Sequence, residues 1–266
     1  MKIISWNINS VRLRINQATR ILREQQPDIF CLQETKCPND AFPHKPFEKL
    51  GYRHIALNGI KGYHGVASIS KKPFLHEYAH TFCKKKDGRH MEIAVTYKGN
   101  PLHIHNFYVP AGGDEPDIKR NEKFAHKLSF LKEMQRFCTT MKHKTKTHRI
   151  LLGDLNIAPM EQDVWSHKQL LDVVSHTPIE VAHLLQVQKS HNWIDTMRHF
   201  VDENEKLYSW WSYRARDWKA TDRGRRLDHI WASPSLKNNL KAMEVLKKIR
   251  NWQRPSDHAP VMVKLA

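Results

Sequence analysis

The chain has 266 residues, 40% hydrophobic and 27% charged, and no apolar run approaches the ~18 residues of a membrane span, so a disordered or membrane-embedded protein is excluded. Forty-four Lys and Arg stand against 27 Asp and Glu, a formal net charge of +17. That excess favours a polyanionic partner such as nucleic acid, because basic side chains that neutralise phosphates release condensed counterions. The four cysteines (Cys31, Cys37, Cys83, Cys138) are scattered and form no C-x-x-C pair, so neither zinc spacing nor a disulfide framework is present. The opening "MKIISWNINSV" turns polar by Ser5 and Asn7 and has no signal-peptide core, and a cytoplasmic protein is expected.

In chain order, the first element is a β-rich run ending in Asn7 and Asn9. Residues 11–26 follow as a helix, with Val11, Ile15, Ala18 and Leu22 at helical spacing and Pro27 as the stop. "DIFCLQE" is a second apolar run and ends at Glu34; Cys31 within it reads as a small buried hydrophobe. "GVASIS" and "MEIAVTYKG" are further strands, and "LHIHNFYVP" is another, ending at Tyr108. In 117–141, Phe124, Leu128, Leu131 and Cys138 mark one helical face, with Lys and Arg assigned to the other. "HRILLGDLN" is a strand that ends at Asp154 and Asn156. Thr177, Pro178 and Glu180 supply an N-cap, a first-turn proline and a capping-box acid for a helix over 177–189. "HNWIDTMRHF" reads as a shorter amphipathic helix, "RLDHIWAS" as a strand carrying Asp228 and His229, and "SDHAPVMVKLA" as a last strand begun by Asp257 and His258. Strands and helices mix along the whole length without a linker or repeat, so a single α/β domain over 1–266 is expected.

Residues at i and i+2 of a strand share a face, so Asp154 and Asn156 would project together where a rigid strand leaves the core, as would Asn7 and Asn9. Taken alone, such a pair is better explained by an Asx turn. The other strand ends add Glu34, Asp228, Asp257 and His258, all oxygen or imidazole groups with no accompanying thiolate. Such a set suits a hard cation, Mg²⁺ or Mn²⁺, held by one or two carboxylates with waters completing the shell. Each residue also has a structural explanation: Asp257 and His258 as a surface pair, Tyr108 as core, and Asp228 as a partner of Arg226.

"WNINSVR", "DIFCLQETK", "NFYVPAGG", "GDLNIAP", "RRLDHIWAS" and "SDHAPV" occur in this order from end to end of the chain. Together they resemble the exodeoxyribonuclease III family of DNA-repair nucleases, within the endonuclease/exonuclease/phosphatase superfamily. The resemblance implies a four-layer α/β sandwich, with two mixed β-sheets packed face to face and helices outside. It also implies Mg²⁺-dependent hydrolysis of phosphodiesters 5′ to abasic sites in double-stranded DNA, 3′-to-5′ exonuclease action and cleaning of damaged 3′ ends, by a monomer. On that reading Glu34 is the main metal ligand, with Asn7 and Asp257 near the ion and Asp154, Asn156 and His258 close to it. Asp154 takes the proton of the attacking water, and Asn156 orients it or donates to phosphate. His258, fixed by Asp228, donates to the scissile phosphate, while Tyr108 meets a phosphate or leaving oxygen.

The segment "YSWWSYRARDWKATDRGRRLDH" (208–229) interleaves aromatic and basic residues, as stacking and phosphate contact require. By the same resemblance Trp210 and Leu227 wall an abasic-sugar pocket, and Arg225 lies near the DNA. One of Trp210 and Trp211 is expected in the core. "KKKDGRH" (84–90) and "KHKTKTH" (142–148) are further basic runs, and such runs are usually solvated faces. The chain departs from the family at Ala111, where some relatives carry a polar side chain. Two other readings are a phosphoesterase of the same superfamily acting on lipid or inositol phosphates, and a non-catalytic nucleic-acid binder. The Trp-rich basic segment argues against the first, and the intact set of acids against the second.

Overall fold

The computed structural model describes residues 1–141, 147–215 and 217–266. In chain order the strands are β1 (Lys2–Asn7), β2 (Ile29–Gln33), β3 (His54–Asn58), β4 (Val66–Ser70), β5 (His76–Tyr78), β6 (His90–Tyr97), β7 (Asn100–Tyr108), β8 (His148–Asp154), β9 (Ile194–Asp195), β10 (Trp210–Trp211), β11 (Gly224–Arg225), β12 (Asp228–Ala232), β13 (Leu240–Val245) and β14 (Val261–Leu265). The helices are α1 (Ile15–Gln25), α2 (His44–Glu48), α3 (Glu122–Met141), α4 (His167–Leu170), α5 (Pro178–Ser190), α6 (Thr196–Phe200) and α7 (Trp218–Thr221). Two six-stranded sheets result, in the orders β13-β14-β1-β2-β4-β3 and β5-β6-β7-β8-β12-β9, beside a small β10-β11 pair.

Both sheets are mixed. Each contains one parallel pair joined by a helical crossover: β1 and β2 through α1, and β7 and β8 through α3. The two inner faces share one apolar cluster, with Ile3, Ile29, Cys31 and Val66 from the first sheet and Ile93, Ile104, Ile150, Leu152 and Ile230 from the second. The outer face of the first sheet packs on α1 and α2 through Trp6, Phe30, Ile21 and Phe47. The outer face of the second packs on α3 and α5 through Phe107, Leu151, Phe124, Leu131 and Leu184. This is the expected four-layer sandwich, and it explains why β2 and β8 are apolar without alternation: both faces of each are covered. Gly153 lies opposite Phe107 at a left-handed φ of 134°, where a Cβ would collide with the Phe107 carbonyl oxygen.

Several local readings shift. The first helix begins at Ile15 rather than residue 11, because residues 11–14 form a turn, and the third begins at Glu122. "HNWIDTMRHF" is not one helix: Ile194 and Asp195 pair with β12, and Asp195 then caps α6 by accepting from the N–H groups of Met197 and Arg198. The Thr177 capping box forms as expected. Cys31 is fully buried, and burial pushes its thiol up to about 12. The run 142–146 lies outside the described residues, and so does Arg216. No described helix is long and apolar enough to cross a membrane.

His64, His80, His90, His105, His148, His176 and His229 are all pushed below the usual imidazole range by burial, the last to about 4, whereas His258 is raised. Below pH ~6.5 the unfolded chain therefore binds more protons than the folded one, and stability falls as pH falls. His258 and Asp154 work in the opposite direction but are outnumbered. Thermal melts are expected to show a clear fall in Tm between pH 7.5 and 5; an unchanged Tm would contradict this balance.

Candidate active site

The parallel pairs decide where the polar strand ends meet. Asn7 stands level with Gln33 across β1 and β2, and Tyr108 with Asp154 across β7 and β8, so the C-terminal ends of four strands open on one side. β12 runs antiparallel to β8 and begins there, setting Asp228 directly opposite Asp154. The chain before β14 adds His258, whose neighbour Asp257 faces Trp210. Glu34, Tyr108, Asp154, Asn156, Trp210, Arg225, Leu227, Asp257 and His258 all line one cleft of about 600 Å³. Asn7 is buried beneath it.

The hydrogen bonds join the two sheets. One amide nitrogen of Asn7 donates to Glu34 Oε1 at 2.9 Å and to Asp154 Oδ2 at 2.8 Å. Tyr108 donates its hydroxyl to the same Glu34 oxygen at 2.8 Å, and the Lys36 ammonium lies 2.9 Å from Oε2. Burial works against the Glu34 charge, but the Asn7 hydrogen bond, Lys36 and Tyr108 outweigh it and hold the carboxyl below its usual range. Glu34 itself has φ of 50°, a left-handed backbone at a non-glycine residue, and this bend just past β2 sets its direction.

Asp154 is the opposite case. Burial pushes its carboxyl up to about 7; the Asp228 and Glu34 charges add to the rise, and His258 opposes it. Its Oδ1 accepts the Asn156 N–H at 2.9 Å. His258 Nδ1 pairs with Asp228 Oδ2 at 2.8 Å, while its Nε2 lies 3.7 Å from Asp154 Oδ2, too far for a direct hydrogen bond. Burial disfavours the imidazolium, yet Asp228 and Asp154 outweigh it and raise His258 to about 10. Tyr108 goes well above the usual phenol value through burial and the adjoining Glu34, so its hydroxyl keeps the proton.

Around this centre stand Trp165, Val173, Val174, Trp210 and Leu227, with Arg214, Arg223 and Arg225 on the same cleft. Trp211 is core and Trp210 faces the cleft, as the Trp pair suggested. Trp210 Nε1 donates to Asp257 Oδ2 at 3.0 Å, and Asp257 Oδ1 accepts from Asn9 at 3.2 Å.

Not every residue points as expected. Asn156 is past the end of β8, at φ of 54°, and its amide donates to the Val109 carbonyl; it orients Asp154 through its backbone N–H. Both readings of this stretch therefore hold, an Asx turn and a carboxylate aimed inward. Asn9 forms the same turn on Asn7 rather than sharing its face. Arg225 is anchored, donating to the Val174 carbonyl and Ser175 hydroxyl beneath the Trp210 ring. Arg226 pairs with Asp163 and Asp195, leaving Asp228 to His258.

Some supporting residues carried no sequence signal that was read. Ser209 donates to Asp228 Oδ2 at 2.6 Å and accepts from the Leu227 and Asp228 N–H groups. Lys127, assigned to the exposed face of its helix, is fully buried: its ammonium sits 2.5 Å from Glu180 and donates to the carbonyls of Ala111 and Asn156, tying two cleft loops together. Its place on the same helical face as Phe124, Leu128 and Leu131 was the available clue. Lys85, Asp87 and Arg89 of the first basic run line a neighbouring cavity that also touches Tyr108.

The donor chemistry fits a hard divalent cation. Glu34 and Asp154 present carboxylates to the cleft, Asp228 Oδ1 is buried without a hydrogen-bond partner, and Asp154, Asp228 and His258 have donor atoms within 4.8 Å of one another.

Comparison with known proteins places this geometry among relatives. The pattern of the Endonuclease/Exonuclease/phosphatase family matches residues 4–258. Exodeoxyribonuclease III of Haemophilus influenzae is 30% identical over 269 aligned residues, covering 98% of each chain. An AP endonuclease from Archaeoglobus fulgidus superposes with a TM-score of 0.90 at 28% identity, covering 100% of this chain and 99% of the other. A 3′ phosphatase from Neisseria, solved with its product DNA hairpin, gives the same TM-score at 27% identity, again covering 100% and 99%.

If Asp228 lifts His258, Asp228→Asn should lower the imidazole's titration by more than about one pH unit, since each unit is ~1.4 kcal/mol of interaction. NMR titration of the His258 ring in metal-free protein reads this directly; an unchanged titration would mean that the pair is not what charges it.

Proposed function

The chain belongs to the endonuclease/exonuclease/phosphatase family, and from that premise we propose that residues 1–266 act as a single DNA-repair nuclease domain that hydrolyses phosphodiesters with a divalent cation, Mg²⁺ or Mn²⁺. The observation that carries the reading is the convergence of Glu34, Asp154 and His258 on one cleft walled by Trp210, Leu227 and arginines. The substrate is double-stranded DNA cut 5′ to abasic sites, with trimming of damaged 3′ ends. Support comes from the apolar wall, which suits a sugar lacking its base, and from the net charge of +17. The exodeoxyribonuclease and AP-endonuclease relatives support the same substrate class.

A phosphodiester already carries charge, and in-line attack adds more. Glu34 would hold the cation, with Asn7 and Asp257 beside it, and a cation held there would supply positive charge against the phosphate and leaving oxygens. Asp154 takes the proton of the attacking water. Burial has brought its carboxyl near neutrality, where a general base works best, and the Asn7 and Asn156 N–H groups fix its orientation. The 3.7 Å between Asp154 Oδ2 and His258 Nε2 leaves room for an oxygen shared by both. His258 stays protonated, held by Asp228, and donates to a non-bridging phosphate oxygen. Tyr108 directs its proton to Glu34, so it positions that carboxylate. The 3′ oxygen leaves on the side away from the attacking water and takes up a proton from solvent to become the 3′-hydroxyl.

A duplex with one abasic site should be nicked on its 5′ side with Mg²⁺ and stay intact with EDTA. Asp154→Asn, which preserves the shape, should fold normally and lose on the order of 10³-fold in rate. Intact DNA in both tubes, or turnover of inositol phosphates without DNA cleavage, would refute the nuclease; near-normal rates in Asp154→Asn would refute the base.

A further inference from the structure

Along β6, Met91, Ile93 and Val95 belong to the interior cluster shared by the sheets, so His90, Glu92 and Ala94 face the other way, toward the helix layer. On this outer face four imidazoles surround one carboxylate. His103 Nδ1 is 2.8 Å and His76 Nε2 3.7 Å from Glu92 Oε1; His80 Nε2 is 3.7 Å and His105 Nδ1 3.9 Å from Oε2.

The register explains the gathering. His76 on β5 and His103 on β7 both stand opposite Ala94, whose small side chain leaves room between them, and Glu92 reaches across from the next position. The outer rings are open to solvent, with 46% of the His76 side chain, 35% of His80 and 26% of His103 exposed, while Glu92 is 12% exposed. Further in, His105 is buried and its Nε2 has no hydrogen-bond partner.

We propose that His76, His80, His103 and Glu92 form a second metal site, selective for Zn²⁺, that ties the edge strand β5 to β6 and β7. Zinc bonds of ~2.0–2.1 Å place neighbouring tetrahedral donors about 3.3 Å apart. The 2.8 and 3.7 Å separations around Glu92 Oε1 bracket that spacing. Among the described residues only Asp154, Asp228 and His258 have three donor atoms within 4.8 Å of one another, so the proposed site closes only when the exposed His76 and His80 rings turn inward. Imidazole donors favour zinc over magnesium, so the cation of the cleft does not compete here. Strand β5 has three exposed residues and pairs with β6 alone, so it is the element that a tether would steady most.

The test is calorimetric titration of Zn²⁺ into metal-stripped protein kept in Mg²⁺, with the wild type, a His76→Ala/His80→Ala double variant and Glu92→Gln, each checked for folding by circular dichroism. A His258→Ala protein serves to separate the cleft. The wild type should bind one more zinc ion than the double variant, that ion should persist in His258→Ala, and Glu92→Gln should weaken it at least about tenfold. Zinc should also slow amide exchange in β5 of the wild type and not of the double variant. Equal zinc stoichiometry and affinity in wild type and double variant, or zinc binding that vanishes in His258→Ala alone, would overturn the site. His76 is exposed and His80 half-buried against Phe137, so the circular-dichroism check separates loss of the fold from loss of zinc.

Discussion

One carboxamide holds the site together. Asn7, fully buried, places the same nitrogen against Glu34 of the first sheet and Asp154 of the second. Two carboxylates so close in a dry interior repel, and a buried acid without partners would simply keep its proton. The structure resolves this unequally. Glu34 receives Lys36, Tyr108 and Asn7 and stays charged, while Asp154 has burial and the facing Asp228 against it and is driven toward neutrality. Two chemically similar side chains thereby differ in behaviour: one suited to gripping a cation, the other to exchanging a proton near neutral pH.

The sandwich makes such a centre possible. Parallel pairing within each sheet carries four strand ends to one side, and the antiparallel β12 brings Asp228 to face Asp154. Beneath them, Gln33 donates to Asn106, and Asn106 donates to the Leu32 and Ala67 carbonyls, so polar side chains bridge the sheets directly under the cleft. The Lys127–Glu180 pair does the same from the helix layer, linking α3 and α5 to the loops that bear Ala111 and Asn156. Such buried groups hold their positions only when every partner is present, and that dependence gives the reacting groups a rigid setting.

Much of this was legible from residue order. Apolar runs that end in Asn7, Glu34, Tyr108 and Asp154 announce buried strands with functional tips, and Thr177 with Glu180 marks its helix start correctly. What pattern reading could not reach were choices made by tertiary contact. Lys127 looks like any solvated lysine until α5 supplies Glu180 against it. Glu34 would point away from its strand-end neighbours under simple alternation, and only its left-handed backbone turns it back into the cleft. Asn156 spends its amide on the Val109 carbonyl, which nothing local foretells. The histidines around Glu92 come from β5, the loop after it and β7, and no spacing within any one of them reveals that they meet.

On the proposed mechanism Glu34, set by Asn7, holds the cation, rather than the tighter triad of Asp154, Asp228 and His258. The most direct measurement is an anomalous difference map from a crystal soaked in Mn²⁺. A peak about 2.2 Å from a Glu34 carboxylate oxygen is expected, at ordinary hard-cation distances. A peak bound only by Asp154, Asp228 and His258, or no peak in the cleft, would contradict it.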